Sequence, residues 1–111
     1  MPKKRMYVCS LDAGIDVICG KWKPAILWKI KDAPLCFGAI QEKLPAISPK
    51  MLTRQLRALE ADRLVSRTEY PGIPPRVEYS LTERGRTVIP ILMSLKDWAD
   101  TELADQIEEC H

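Results

Sequence analysis

Residues 48–62 read SPKMLTRQLRALEAD and residues 64–81 read LVSRTEYPGIPPRVEYSL. Ser48-Pro49 is a helix start. The serine oxygen can accept from an orphan backbone N–H, and proline suits the first helical position, where its fixed φ fits and its missing N–H is not needed. Beyond it, Leu52, Leu56 and Leu59 recur at i, i+4, i+7, while Lys50, Thr53, Arg54 and Arg57 fall on the other side. A helix over about 48–62 therefore has one packing face and one polar, basic face. The period then changes. Residues 64–70 and 76–81 read as strands, the second alternating apolar and polar, and the prolines and glycine of 71–75 make a loop between them. This predicts a two-stranded ribbon, or wing, over about 65–81 with a proline-rich tip.

Working outward, Phe37 to Leu44 predicts a short helix separated from the basic one by the turn Pro45-Ala46-Ile47. Before it, Pro24 opens a densely apolar helix through Ala25, Ile26, Leu27, Trp28 and Ile30 that must be largely buried, and Ala33-Pro34 ends it. A first helix over about 11–19 is expected with Ser10 as N-cap, Leu11, Ile15, Ile18 and Cys19 on one face, and Gly20 as its stop. Cys19 is thereby assigned to the core. After the ribbon, Thr82 is an N-cap for a C-terminal helix over about 83–105. Val88, Leu92, Leu95, Ala99 and Leu103 form its stripe, Ile91 and Trp98 widen it, and Pro90 is expected to bend it.

With 111 residues the chain is long enough for one core and too short for two ordinary domains, so residues 1–111 are read as a single domain. Hydrophobic residues at 46% and charged ones at 29% exclude the composition of a disordered chain, and no apolar run approaches a membrane span. No secretory h-region follows the basic residues 1–5, so a cytoplasmic, membrane-free protein is expected. The net charge is only +2, but its distribution is uneven. Residues 97–111 hold six acids (Asp97, Asp100, Glu102, Asp105, Glu108, Glu109) and no Lys or Arg, leaving all 17 bases in a body with nine acids. A basic body points to a polyanionic partner. Cys9, Cys19, Cys36 and Cys110 form no CxxC pair and the single His111 adjoins Cys110, so no metal site and no cofactor are expected. In a reducing cytosol any disulfide would be a switch rather than a staple.

A short helix, a tight turn, an amphipathic helix with a basic outer face and then a hairpin is the order of a winged helix-turn-helix. The fold class is α+β, mostly helical. Ser48, Lys50, Thr53, Arg54 and Arg57 offer the major groove hydroxyls, a point charge and two bidentate forks. Arg67 and Arg76, flanking the tip, would follow the backbone or the neighbouring minor groove and position more than specify. The competing reading is a merely solvated basic face, and the hairpin directly after the helix argues against it. Trp22, Trp28 and Trp98 lie in apolar helical stripes and are assigned to core or interface rather than to stacking on single strands. A thiol enzyme reading is poor, since the chain has no CxxC, no internal histidine to act as base and no paired carboxylates in a glycine-rich loop. A dimeric protein-interaction module would not need four outward arginines.

Gly20-Lys21-Trp22, Ile26-Leu27, Phe37, residues 44–48, Leu52-Thr53, Leu56, Leu59-Glu60, Leu64-Val65, Arg67, the run Pro75-Arg76-Val77-Glu78-Tyr79-Ser80-Leu81-Thr82-Glu83, Gly85 and Trp98 resemble the HxlR family of bacterial winged helix-turn-helix regulators. The resemblance covers roughly residues 9–99. It implies a homodimeric cytoplasmic transcription regulator, a repressor, bound to a double-stranded DNA operator. Its N- and C-terminal helices would form the dimer interface, and its two recognition helices would read successive major grooves about 34 Å apart. In family members that sense oxidants, a cysteine just before the first helix is the reactive one, and Cys9 occupies that position. Lys3, Lys4, Arg5 and the helix N-terminus would favour its thiolate. The alternatives are an unreactive Cys9 in a regulator without redox sensing. Cys36 departs from the family's basic residue before Phe37 and could be a second reactive thiol. Cys110 could resolve an oxidised Cys9 of the other subunit.

Overall fold

The structure, a computed structural model, describes residues 6–107. Six helices and a small sheet follow in the order α1 (Ser10–Ile18), α2 (Lys23–Lys29), β1 (Leu35–Cys36), α3 (Phe37–Lys43), α4 (Pro49–Ala61), β2 (Val65–Tyr70), β3 (Arg76–Leu81), α5 (Glu83–Arg86) and α6 (Ile89–Glu102), with a 3₁₀ turn at Ala104–Gln106. The core is built from Ile26, Leu27 and Ile30 of α2, Ile40 of α3, Ile47 of the turn, Leu52, Leu56 and Leu59 of α4, Leu64 and Val65, Leu81, and Val88 and Leu92. The expected winged helix-turn-helix is thus present, its basic helix anchored by the leucine stripe read from the sequence.

Four details differ from the sequence reading. The sheet has three antiparallel strands in the order β1-β3-β2, because Leu35 and Cys36 pair with Tyr79 and Glu78 on the free edge of the hairpin. A two-residue strand carries no alternation to read, so only tertiary pairing makes it visible. The C-terminal helix is not one bent rod. α5 ends before Thr87, and Pro90 sits in the first turn of α6, where a missing N–H leaves no intrahelical bond unmade. At the other end, Cys9 rather than Ser10 caps α1, with no side-chain cap bond. Cys19 is exposed rather than core, because the α1 face it shares is only partly covered by this chain: Ile18 packs against the core, but Leu11 is 69% and Ile15 49% exposed.

One junction joins the end of α4 to the wing and to α5. The Arg63 N–H donates to the Glu60 carbonyl and the Leu64 N–H to the Leu59 carbonyl, both at 2.9 Å, closing the helix with Arg63 left-handed at φ 60°. This is a Schellman cap with arginine where glycine is usual. The Thr82 hydroxyl donates to the Arg63 carbonyl at 2.6 Å and accepts from the Gly85 N–H at 2.9 Å, while the Thr82 N–H donates to the Leu64 carbonyl. α5 crosses so closely that a Cβ on Gly85 would lie 2.1 Å from the Leu64 carbonyl oxygen. Only glycine fits there.

These contacts predict substitutions of opposite sign, read by urea or thermal unfolding. Gly85→Ala should destabilise by about 3 kcal/mol, because backbone cannot yield as a side chain would. Thr82→Ala should cost about 1–2 kcal/mol through the lost cap. Arg63→Gly should stabilise by about 0.5–1 kcal/mol, by relieving the left-handed arginine against the greater freedom glycine gives the unfolded chain.

Candidate nucleic-acid interface

α4 starts as the sequence demands. The Met51 N–H donates to the Ser48 hydroxyl at 3.1 Å, and Pro49 occupies the first turn. At about 100° per residue, Lys50, Arg54 and Arg57 run along a line some 200° from Leu52, Leu56 and Leu59. The leucines are at most 1% exposed and all three cations face solvent. Thr53 lies beside them, partly buried, and its hydroxyl donates to the Pro49 carbonyl at 3.0 Å, which leaves its lone pairs available. Among the described residues none of Lys50, Arg54 and Arg57 has a carboxylate within ion-pair distance. The helix thus presents its cations uncompensated.

α3 is held against the start of α4 by Gln41. Its amide Nε2 donates to the Ile47 carbonyl at 2.5 Å, fixing the turn between the two helices, while its Oε1 is buried without a partner among the described residues. Sequence reasoning passed over this glutamine. A polar residue on the inner side of a short helix was the available signal, but its partner is a turn carbonyl six residues on, which no side-chain pattern reveals.

The wing is a regular antiparallel pair running from Val65 opposite Leu81 to Tyr70 opposite Arg76. Its arginines are less simply available than their exposure suggests. Alternation puts residues two apart on one face, so Arg67 meets Glu69 and Arg76 meets Glu78, each at 2.5 Å. The Arg67 guanidinium is held more firmly in its charged form by the bond to Glu69 and then by Tyr79. The register also separates the two: Arg67 lies opposite Tyr79, and Arg76 opposite Tyr70, so the arginines occupy opposite faces of the ribbon. Ser48, Lys50, Thr53, Arg54 and Arg57 are brought together on one helix, whereas Arg67 and Arg76 do not form one patch with each other.

The two cysteines assigned to redox sensing lie apart from this surface in sequence. Cys9 is exposed at the start of α1, where its carbonyl accepts the Ala13 N–H, and the Tyr7 hydroxyl donates to Asp16 at 2.6 Å across the same turns. Cys110, like Lys3, Lys4 and Arg5, lies outside the described residues. Cys36 is exposed on β1. Among the described residues no group of three or more His, Cys, Asp or Glu could hold a metal ion, and no helix is long and apolar enough to cross a membrane.

With this geometry in hand, the chain was compared with known proteins. The profile of the HxlR-like helix-turn-helix family matches residues 17–107. An uncharacterised HTH-type transcriptional regulator of Methanothermobacter thermautotrophicus is 49% identical over 92 residues, covering 83% of this chain and 70% of that protein. Among solved structures, the oxidised form of the redox regulator HypR superposes with a TM-score of 0.81 at 44% identity, covering 85% of this chain and 97% of that one. The reduced form of the Bacillus subtilis transcriptional regulator YodB matches with a TM-score of 0.77 at 31% identity, over 87% of this chain and 95% of that one.

The pairing of the wing arginines makes a prediction about charge. Glu69→Gln frees Arg67, so binding to a random duplex should strengthen, and the plot of log K against log salt should steepen by up to about one phosphate's worth of slope. Titrations at several salt concentrations check this; an unchanged slope would mean that Arg67 does not reach a phosphate even when released.

Proposed function

The chain belongs to the HxlR-like helix-turn-helix family and is a DNA-binding transcription regulator, not an enzyme, and from this premise we propose that residues 1–111 act as a single-domain, homodimeric, sequence-specific repressor tuned by the thiol of Cys9. The observation that carries the DNA-contact assignment is the segregation of α4, with buried leucines on one side and unpaired Lys50, Arg54 and Arg57 on the other. In this reading the N-terminal half of α4 enters the major groove. Arg54 and Arg57 read base edges, Ser48, Lys50 and Thr53 hold phosphate or base near the helix start, and Arg67 and Arg76 steady the wing on the backbone. Direct base contacts specify and phosphate contacts position.

The dimer assignment is supported by what the fold leaves uncovered. Met6, Val8, Leu11 and Ile15 on the arm and α1, and Ile91, Met93, Leu95 and Trp98 on α6, are about half to fully exposed. So much apolar surface on so small a body marks an interface, and a two-fold partner presenting the same helices would cover it. Trp98, 56% exposed, then becomes an interface residue, while Trp22 and Trp28 pack against the core. Dimerisation sets two α4 helices on successive major grooves.

The thiol assignment draws on the exposure of Cys9 at the start of α1, the helix proposed for the interface, and on the similarity to redox regulators. An oxidant that takes two electrons and two protons from Cys9 and the partner's Cys110 would leave a disulfide linking the subunits. An exposed Cys9 that reacts to another adduct, or not at all, leaves the DNA function intact.

The test begins with duplexes enriched from genomic fragments. Enrichment of a two-fold symmetric site with half-sites about one helical turn apart is expected. On it, Arg54→Ala or Arg57→Ala should cost roughly 1–3 kcal/mol and flatten base preference, while Lys50→Ala or Arg76→Ala should weaken specific and scrambled duplexes alike. Equal losses on both duplexes for all four variants would sink the division of roles. For the switch, diamide should alter operator affinity in wild type and not in Cys9→Ser. Non-reducing electrophoresis should show a covalent dimer that Cys110→Ser lacks; a dimer band unchanged in Cys110→Ser would rule out that pairing.

A further inference from the structure

Of the twelve large hydrophobic side chains exposed among the described residues, ten lie on the N-terminal arm, on α1, on α6 or at Ile107 beyond it. The proposed dimer accounts for that side of the molecule. The remaining two, Tyr70 and Ile73, lie at the far end of the wing, and Ile73 is fully exposed at 104%. Isoleucine contributes nothing to folding from such a position, and residues 71–75 surrounding it are all exposed.

The tip is built to hold that side chain out. Pro71, Pro74 and Pro75 fix φ and remove three N–H donors from a five-residue loop, so the loop loses little further freedom when it docks. Its chemistry is also wrong for a phosphate contact. The nearest wing cations, Arg67 and Arg76, are each tied to a carboxylate two residues away, and the tip itself carries no charge. At the tip end of the ribbon, Arg67, Glu69, Tyr70, Pro71, Pro75 and Val77 line a shallow hollow of about 380 Å³.

A rigid, uncharged loop that thrusts one branched aliphatic side chain outward from a DNA-binding wing matches the way minor-groove proteins open a base step. An apolar side chain enters from the groove, partly unstacks two base pairs and bends the duplex toward the major groove. We propose that Ile73 is such a wedge, entering the minor groove beside the major-groove site of α4. Pyrimidine–purine steps, which unstack and kink most easily, are then favoured under the tip, so the wing contributes specificity through deformability rather than through hydrogen bonds. The proposal rests on the DNA-binding reading of the fold and adds a residue and a mode of readout to it.

The experiment uses the full chain and a duplex of about 40 base pairs, long enough for two half-sites and their flanks, enriched from a random pool by wild-type protein and labelled at its ends with a donor and an acceptor dye. Binding by wild type should shorten the end-to-end distance. Ile73→Ser should keep the wild-type unfolding midpoint, lose most of the bend and bind about tenfold more weakly, the affinity lost when one aliphatic side chain is no longer buried. Ile73→Leu should restore bend and affinity. Wild type that binds without bending, or an Ile73→Ser variant that binds and bends like wild type, overturns the wedge and leaves the DNA reading standing. Failure of wild type to enrich any duplex overturns both.

Discussion

The placement of α4, the wing and the C-terminal helices relative to one another hangs on the junction where α5 crosses the end of α4. The Thr82 hydroxyl bridges the Arg63 carbonyl and the Gly85 N–H, the Thr82 N–H takes the Leu64 carbonyl, and Gly85 lies against that same carbonyl with no room for a Cβ. Four pieces of chain meet there: the cap of α4 at Arg63, Leu64 just before β2, Thr82 just after β3 and the start of α5. Because packed backbone is not continuously deformable, the junction passes on orientation instead of absorbing it. The placement of α4 against the wing and α5 is set at the C-terminal end of α4, away from Ser48 and Lys50 at its start.

The legibility of the sequence follows the range of the interactions. Leu52, Leu56 and Leu59 against Lys50, Arg54 and Arg57 is a pattern within one helix, and the ribbon's alternation is a pattern within one hairpin; both are local, and both were readable. Ser48 and Thr82 were readable as caps for the same reason. β1 was not, since Leu35 and Cys36 are strand only because Tyr79 and Glu78 lie beside them. Cys19 shows a different limit. Helical spacing reveals that α1 has an apolar face, but not whether that face is covered by the same chain or by another. The pairing of Arg67 with Glu69 and of Arg76 with Glu78 could have been found, because residues two apart in a strand share a face. Reading both arginines as simply outward cations overlooked the carboxylate beside each.

The distribution of charge sharpens what the fold can do on approach to a polyanion. Beyond Lys96, itself bonded to Asp100 at 2.8 Å, α6 and the residues after it carry acids and no bases. The described bases otherwise belong to α2, its flanking loops, α3, α4 and the Arg63 that follows it, the wing and α5. Bases gathered on these elements draw the molecule toward a polyanion and raise the rate of encounter at low salt. The exposed apolar side chains of α1 and α6 and the cations of α4 are different side chains on different elements.

Within α4 itself the local energetics run against stability in a way that has a physical reading. The positive end of a helix favours acids in its first turn, yet α4 has none there and carries Lys50 instead. Its last turn, where a cation would be welcome, has no base, and the cation that follows is Arg63, held left-handed. A helix selected only to fold would reverse both choices. An anion arriving at the helix start changes the balance: Pro49 has no N–H and the Met51 N–H is taken by Ser48, but the helix dipole and the Lys50 ammonium both favour it. Local choices that oppose the fold are expected where function is placed. Here the opposition falls on the first turn of α4, the part of the helix that a groove-docking geometry brings nearest to DNA.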